Sequence, residues 1–184
     1  MKYIKFVIVI CCVVFMSSCA TTLQPARISH HSQIEGYKYV YITPTSSLTS
    51  GTSDVYGGKY GIYGSSRSKS VNPSDIIAGY MMKKGFIQVP EVNPELAAQT
   101  LIVNYGETGR RYILGGLLGY TIEVTLQLLS AKTHELICVS TAEGLGPTEA
   151  DDIRMAITRA LEEIFSSKSD SVKYKYPIEA YLGM

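Results

Sequence analysis

The sequence has no tryptophan, four phenylalanines, three histidines and four cysteines in 184 residues, and only 18% of it is charged. Each shortage removes a class of protein. The cysteines are Cys11, Cys12, Cys19 and, far downstream, Cys138, so the stretch after residue 19 holds a single thiol, which cannot form a disulfide within it. His30 and His31 have no cysteine, aspartate or third histidine at a ligand spacing nearby, so neither a metal nor another cofactor is expected. Seventeen basic residues against 16 acidic ones supply no positive field, which excludes nucleic acid as an expected partner. A membrane-spanning helix needs about 20 apolar residues. The stretch Phe6 to Phe15 (FVIVICCVVF) is about half that length.

That short stretch is informative for what flanks it. Lys2 and Lys5 stand near its start, small residues Ser17-Ser18 follow it, and Cys19 comes next, giving the three regions of a secretory signal over residues 1–18. Met16-Ser17-Ser18-Cys19 resembles the lipobox of bacterial lipoproteins, with Met where that family most often has Leu. The resemblance implies cleavage before Cys19, a diacylglycerol on its thiol and an acyl chain on the freed amine. At about 0.8 kcal/mol per buried methylene, three chains make such anchoring practically permanent, so the membrane is the first expected partner. Ala20-Thr21-Thr22 has neither the aspartate of inner-membrane retention nor the acidic cluster of surface export, so the resemblance implies the periplasmic face of the outer membrane. Loss of residues 1–18 takes Lys2 and Lys5 with it and leaves 166 residues with 15 basic and 16 acidic groups. That length fits one domain with tails. Cys138, within Leu136-Ile137-Cys138-Val139, reads as a small buried hydrophobe.

Residues 19–33 are polar and aperiodic and are expected to form a tether. The domain is expected over 34–167, with an insertion at 43–72 and a tail at 168–184. Tyr37 to Ile42 is aromatic and β-branched, a first strand. Thr43 to Asn72 holds five Gly, eight Ser and four Thr in 30 residues, too little apolar surface to offset ordering entropy. Asn72-Pro73-Ser74-Asp75 has the chemistry of a helix start, and Lys83-Lys84-Gly85 that of a stop. Ile76, Ile77, Tyr80 and Met81 share the helix face between them. Strands follow at Phe86 to Val89, Thr100 to Tyr105, Tyr120 to Leu129 and Leu136 to Ala142. Thr148, with Asp151 three residues on, starts a second helix with Ile153, Ile157, Ala160, Leu161 and Ile164 as its apolar stripe.

In Tyr120 to Leu129 the apolar residues alternate with Thr121, Glu123, Thr125 and Gln127, so one sheet face is expected to be wet. The fold class that follows is α+β, a two-layer sandwich of a mixed, mostly antiparallel sheet with two helices on one face. This order resembles that of small α+β envelope lipoproteins of unknown function. The shared features are the aromatic first strand, the step Lys84-Gly85-Phe86, the strand Leu101 to Tyr105, a long hairpin and a C-terminal helix. The resemblance spans about Tyr37 to Phe165 and implies no activity.

Catalysis has little to rest on. Gly115-Gly116-Leu117-Leu118-Gly119 leads into a strand where a dinucleotide fingerprint needs a helix, and Gly106 to Arg111 lacks the Lys-Ser/Thr ending of a phosphate loop. His134 sits at a turn beside Glu135, and neighbouring Asp151 and Asp152 point about 100° apart on a helix. A non-enzymatic binding or scaffolding module is therefore expected, with a glycan-binding or weakly hydrolytic domain as the alternative. Two segments are candidate binding sites for an envelope protein or glycan. Tyr56, Tyr60 and Tyr63 repeat a Tyr-Gly step, a pairing of flat rings and adaptable backbone found in recognition loops. Arg110 and Arg111 precede an aliphatic turn with Leu117 and Leu118, suited to protein docking or to lipid with the arginines at headgroups. Open strand edges and Tyr/Gly segments also admit a homo-oligomer. Cys19→Ser is expected to abolish labelling by radioactive palmitate and to release the protein from the membrane fraction.

Overall fold

The computed structural model describes residues 23–58, 61–117 and 119–173. Eight strands and two helices follow in order: β1 (Arg27–His31), β2 (Tyr39–Ile42), β3 (Leu48–Gly58), β4 (Gly61–Val71), α1 (Pro73–Lys83), β5 (Ile87–Gln88), β6 (Thr100–Tyr112), β7 (Tyr120–Ser130), β8 (Leu136–Gly144) and α2 (Glu149–Lys173). Six strands form one sheet in the order β1-β8-β7-β6-β2-β5, and β3 and β4 form a separate two-stranded sheet. In the main sheet β2 runs parallel to β5 and β6, and the other pairs are antiparallel. Both helices cover one face, so the fold is the expected α+β two-layer sandwich with a mixed, mostly antiparallel sheet.

Local chemistry sets the helix starts. The Asn72 side chain accepts from the Ser74 amide, Pro73 occupies the first helical position, and the Thr45 hydroxyl accepts from the same amide at 3.0 Å. Thr148 accepts from the Asp151 amide at 3.2 Å and donates to its carboxylate at 2.8 Å. These contacts satisfy amides that have no partner within the first turn. Between the layers, Val40, Leu101, Val103, Ile122, Val124, Leu126 and Leu128 from the sheet meet Ile77 and Met81 of α1 and Ile153, Ala156, Ile157, Ala160, Leu161 and Ile164 of α2, all fully buried. Cys138 is buried here too, and burial pushes its thiol up to about 11.

Four expectations are corrected. The tether over 19–33 is shortened from its downstream side: Arg27–His31 pairs with β8, Arg27 opposite Thr141, because Ala26 and Ile28 pack on the core and the free edge of β8 takes their backbone. The insertion over 43–72 is a hairpin whose 11-residue strands pair from Leu48↔Val71 to Gly58↔Gly61. Backbone pairing supplies the order that its composition could not. Third, β6 continues to Tyr112, past the expected Tyr105, because β7 is long enough to pair it throughout. Helix α2 likewise runs to Lys173, into the segment expected to be a tail.

Helix α2 lies unusually close to the end of β8. A Cβ on Gly144 would stand 1.9 Å from the Asp152 carbonyl oxygen and 2.8 Å from the Ala156 nitrogen, distances that only backbone movement could relieve. Gly79, inside α1, has open space around the same position. Gly144→Ala is therefore expected to cost about 3 kcal/mol. Gly79→Ala should instead stabilise by about 0.8 kcal/mol through helix propensity. Urea denaturation of both variants checks the pair.

Candidate functional site

The candidate site is built where β6, β7 and β8 end beside the start of α2. A β-bulge between Glu107 and Gly109 adds one residue to β6 relative to β7. Since side chains alternate faces along a strand, one extra residue exchanges the faces of everything beyond it. Arg110 lies opposite Ile122 on the helix-covered face, and Arg111 lies opposite Thr121 on the outer face. The bulge is held by Thr108, whose hydroxyl donates to Glu123 Oε1 at 2.8 Å and meets the Thr125 hydroxyl at 3.2 Å. A further contact from Thr125 to Thr141, at 2.8 Å, carries this row of hydroxyls across to β8.

The two arginines thus find different carboxylates. Arg110 pairs with Glu149 in the first turn of α2, and its guanidinium lies 4.9 Å from the centre of the Tyr120 ring. Arg111 makes a two-pronged contact with Glu143, Nε to Oε1 at 2.7 Å and an Nη to Oε2 at 2.6 Å. Glu143 is 4% exposed. Its Oε2 also accepts from the Gln24 amide at 3.0 Å, and Arg159 of α2 donates to the carbonyls of both Gln24 and Glu143. Hydrogen bonding from Arg111, helped by the Gln24 amide and the Arg111 and Arg159 charges against the opposing effect of burial, holds the Glu143 carboxyl below its ordinary range. Nearby Asp152 shifts the other way. Its burial raises it, with the Gly146 amide as a partly offsetting donor.

Beyond Arg111 the β6–β7 connection closes on itself. The Ile113 amide donates to the Gly119 carbonyl at 3.0 Å and the Gly119 amide to the Gly116 carbonyl at 3.2 Å. Gly115, Gly116 and Gly119 all have positive φ, a backbone region that side-chain-bearing residues enter with strain. Ile113 turns inward and is buried, whereas Tyr112 is 64% and Leu117 83% exposed. The Tyr112 and Tyr120 rings meet edge-on at 6.2 Å. Leu118 lies outside the described residues.

Of the other candidate residues, Tyr56 and Tyr63 occupy opposed positions in β3 and β4, while Tyr60 and Cys19 lie outside the described residues. The hairpin is rooted on α2: the Ala150 amide donates to the Ser50 hydroxyl at 2.9 Å, and Lys69 reaches Asp151 at 2.8 Å. His134 sits at the β7–β8 turn with a φ of 59°. Among the described residues, no group of three or more His, Cys, Asp or Glu stands close enough to hold a metal. Neither helix is long and apolar enough to cross a membrane. The partners Gln24, Glu143, Glu149 and Arg159 carry no sequence motif. Only the β6–β7–β8 register brings them to Arg110 and Arg111.

Solved structures resemble the chain, two of PelC among them. One is a single-substitution variant of PelC from Paraburkholderia phytofirmans, described as a dodecamer, with 12% identity over 76% of this chain and 95% of that one and a TM-score of 0.44. The other is the PelC dodecamer from the same organism in a different crystal form, with 11% identity, the same coverage of both chains and a TM-score of 0.41. No family model and no curated protein matches the sequence.

The Glu143 contacts have a pH signature. A carboxyl lowered by folding contributes stability above its unfolded value of about 4.3 and loses it as pH falls through the lower folded value. Glu143→Gln is expected to cost about 2 kcal/mol at neutral pH, at the low side for a charged pair because Arg111 is partly exposed. The difference from the unsubstituted protein should close as pH falls below about 4. Urea titrations across that range measure it.

Proposed function

We propose that the chain is a lipid-anchored envelope protein, acylated at Cys19 at the periplasmic face of the outer membrane, whose domain is a non-enzymatic binding or scaffolding module with the β3–β4 hairpin as its recognition arm. The anchoring half of this reading rests on the signal-like residues 1–18 and the lipobox-like Met16 to Cys19. The observation that carries the binding half is the hairpin itself. Its strands pair only with each other among the described residues, so each has a second edge that no strand occupies. Such edges recruit an added strand from a partner. The root on Ser50, Lys69 and α2 keeps the arm attached to a rigid layer. Another envelope protein or a second copy of this chain fits that chemistry. A glycan is the second reading, favoured by the repeated Tyr-Gly steps at Tyr56, Tyr60 and Tyr63, a pairing of rings and adaptable backbone suited to recognition.

A photoreactive residue placed at position 62 of the full-length protein in cells tests the arm. Discrete crosslinked products are expected, a product of twice the chain mass identifying self-association. Changing Tyr56, Tyr60 and Tyr63 together to Ser should remove these products without altering the thermal melting of the domain. Crosslinks unchanged in that triple variant, or absent from the hairpin and present elsewhere on the domain, would overturn the assignment.

A further inference from the structure

Gln24 is five residues beyond Cys19 and is fastened to the fold at both its amide and its carbonyl, by Glu143 and Arg159. Five residues span at most about 18 Å when fully extended. Whatever holds Cys19 therefore holds this end of the sheet within that distance. The same end carries the β6–β7 tip, because Glu143 joins Gln24 directly to Arg111, and Arg111 adjoins Tyr112. The tip exposes Tyr112 and Leu117 on a closed, glycine-shaped turn.

We propose that this tip is a second contact with the lipid surface to which Cys19 is tethered, entering it through Tyr112 and Leu117. The inference rests on the proposed acylation of Cys19 and deepens it by orienting the domain. Tyrosine suits such a place because its ring is apolar and its hydroxyl stays hydrated. Three arginines of this end are paired with carboxylates, Arg110 with Glu149, Arg111 with Glu143 and Arg27 with Glu123 at 3.6 Å, and Arg159 donates to the carbonyls of Gln24 and Glu143. Their charges are largely compensated, so the contact is apolar and does not select anionic lipid. This departs from the expectation that Arg110 and Arg111 bind headgroups. The opposite end of the sheet, with the exposed Lys132 in the β7–β8 turn, faces away from the lipid.

The test uses the full-length lipidated protein with Leu117→Cys, labelled with an environment-sensitive fluorophore. Lys132→Cys serves as the far-end control, and the buried Cys138 stays unlabelled. In vesicles of phosphatidylethanolamine with phosphatidylglycerol, and equally in phosphatidylcholine, doxyl lipids should quench the probe at 117 several-fold more than at 132. Inserting about six Gly/Ser residues between Thr22 and Leu23 lengthens the link and should weaken that quenching. Mass spectrometry of the N-terminal peptide reports acylation separately. An acylated Cys19 with equal quenching at both positions, whether strong or absent, overturns the tip contact alone. An unacylated Cys19 overturns the anchoring and the orientation built on it.

Discussion

Glu143 lies on the outer face of the sheet with almost no access to water, and a carboxylate so placed has to be neutralised inside the fold or lose several kcal/mol of solvation without return. Its partners come from three distant stretches: Gln24 before β1, Arg111 on β6 and Arg159 on α2. The bulge in β6, the pairing of β1 with β8 and the seating of α2 must all be correct before the charge is satisfied. Such a group specifies one arrangement more than it adds net stability, since removing Arg111 leaves an uncompensated charge.

Helix α2 joins the two hairpins that project from the layers. Its first turn receives Arg110 from the β6–β7 hairpin through Glu149, and the β3–β4 hairpin through Ala150 and Asp151. Its apolar face fills the space over β7 and β8. The β3–β4 hairpin and the exposed tip are thus fixed to neighbouring residues of one rigid element. Movement of either relative to the main sheet would disturb the close packing at Gly144, where the backbones of β8 and α2 leave no room for a methyl group.

The parts legible in the sequence were those with a local cause. Asn72-Pro73 and Thr148 mark the helix starts at which the caps form, and the alternation from Tyr120 to Leu128 identifies the buried side of β7, where Ile122, Val124, Leu126 and Leu128 are fully enclosed. Thr43 to Asn72 was misread because composition reports what a segment can bury and not what its backbone can pair with. The strand at Arg27 to His31 was missed for a related reason, its partner β8 being more than a hundred residues away. At the candidate site, the aliphatic turn with exposed Leu117 was visible as an unusual hairpin tip. The fate of its two arginines was not, because one bulge residue, Thr108, decides which face each occupies.

The position of β1 also orders events in time. Among the described residues it is the first strand and pairs with the last, Arg27 against Thr141, so in a polypeptide that emerges amino terminus first it waits until nearly the whole domain has been delivered. Long-range closure of this kind is slow compared with the local hairpins β3–β4, β6–β7 and β7–β8. Until it happens, Arg27 to His31 lacks its partner strand. Docking of β1 and capture of Gln24 by Glu143 and Arg159 then complete that edge. The final step of folding would bring Gln24 to His31 onto an otherwise finished domain.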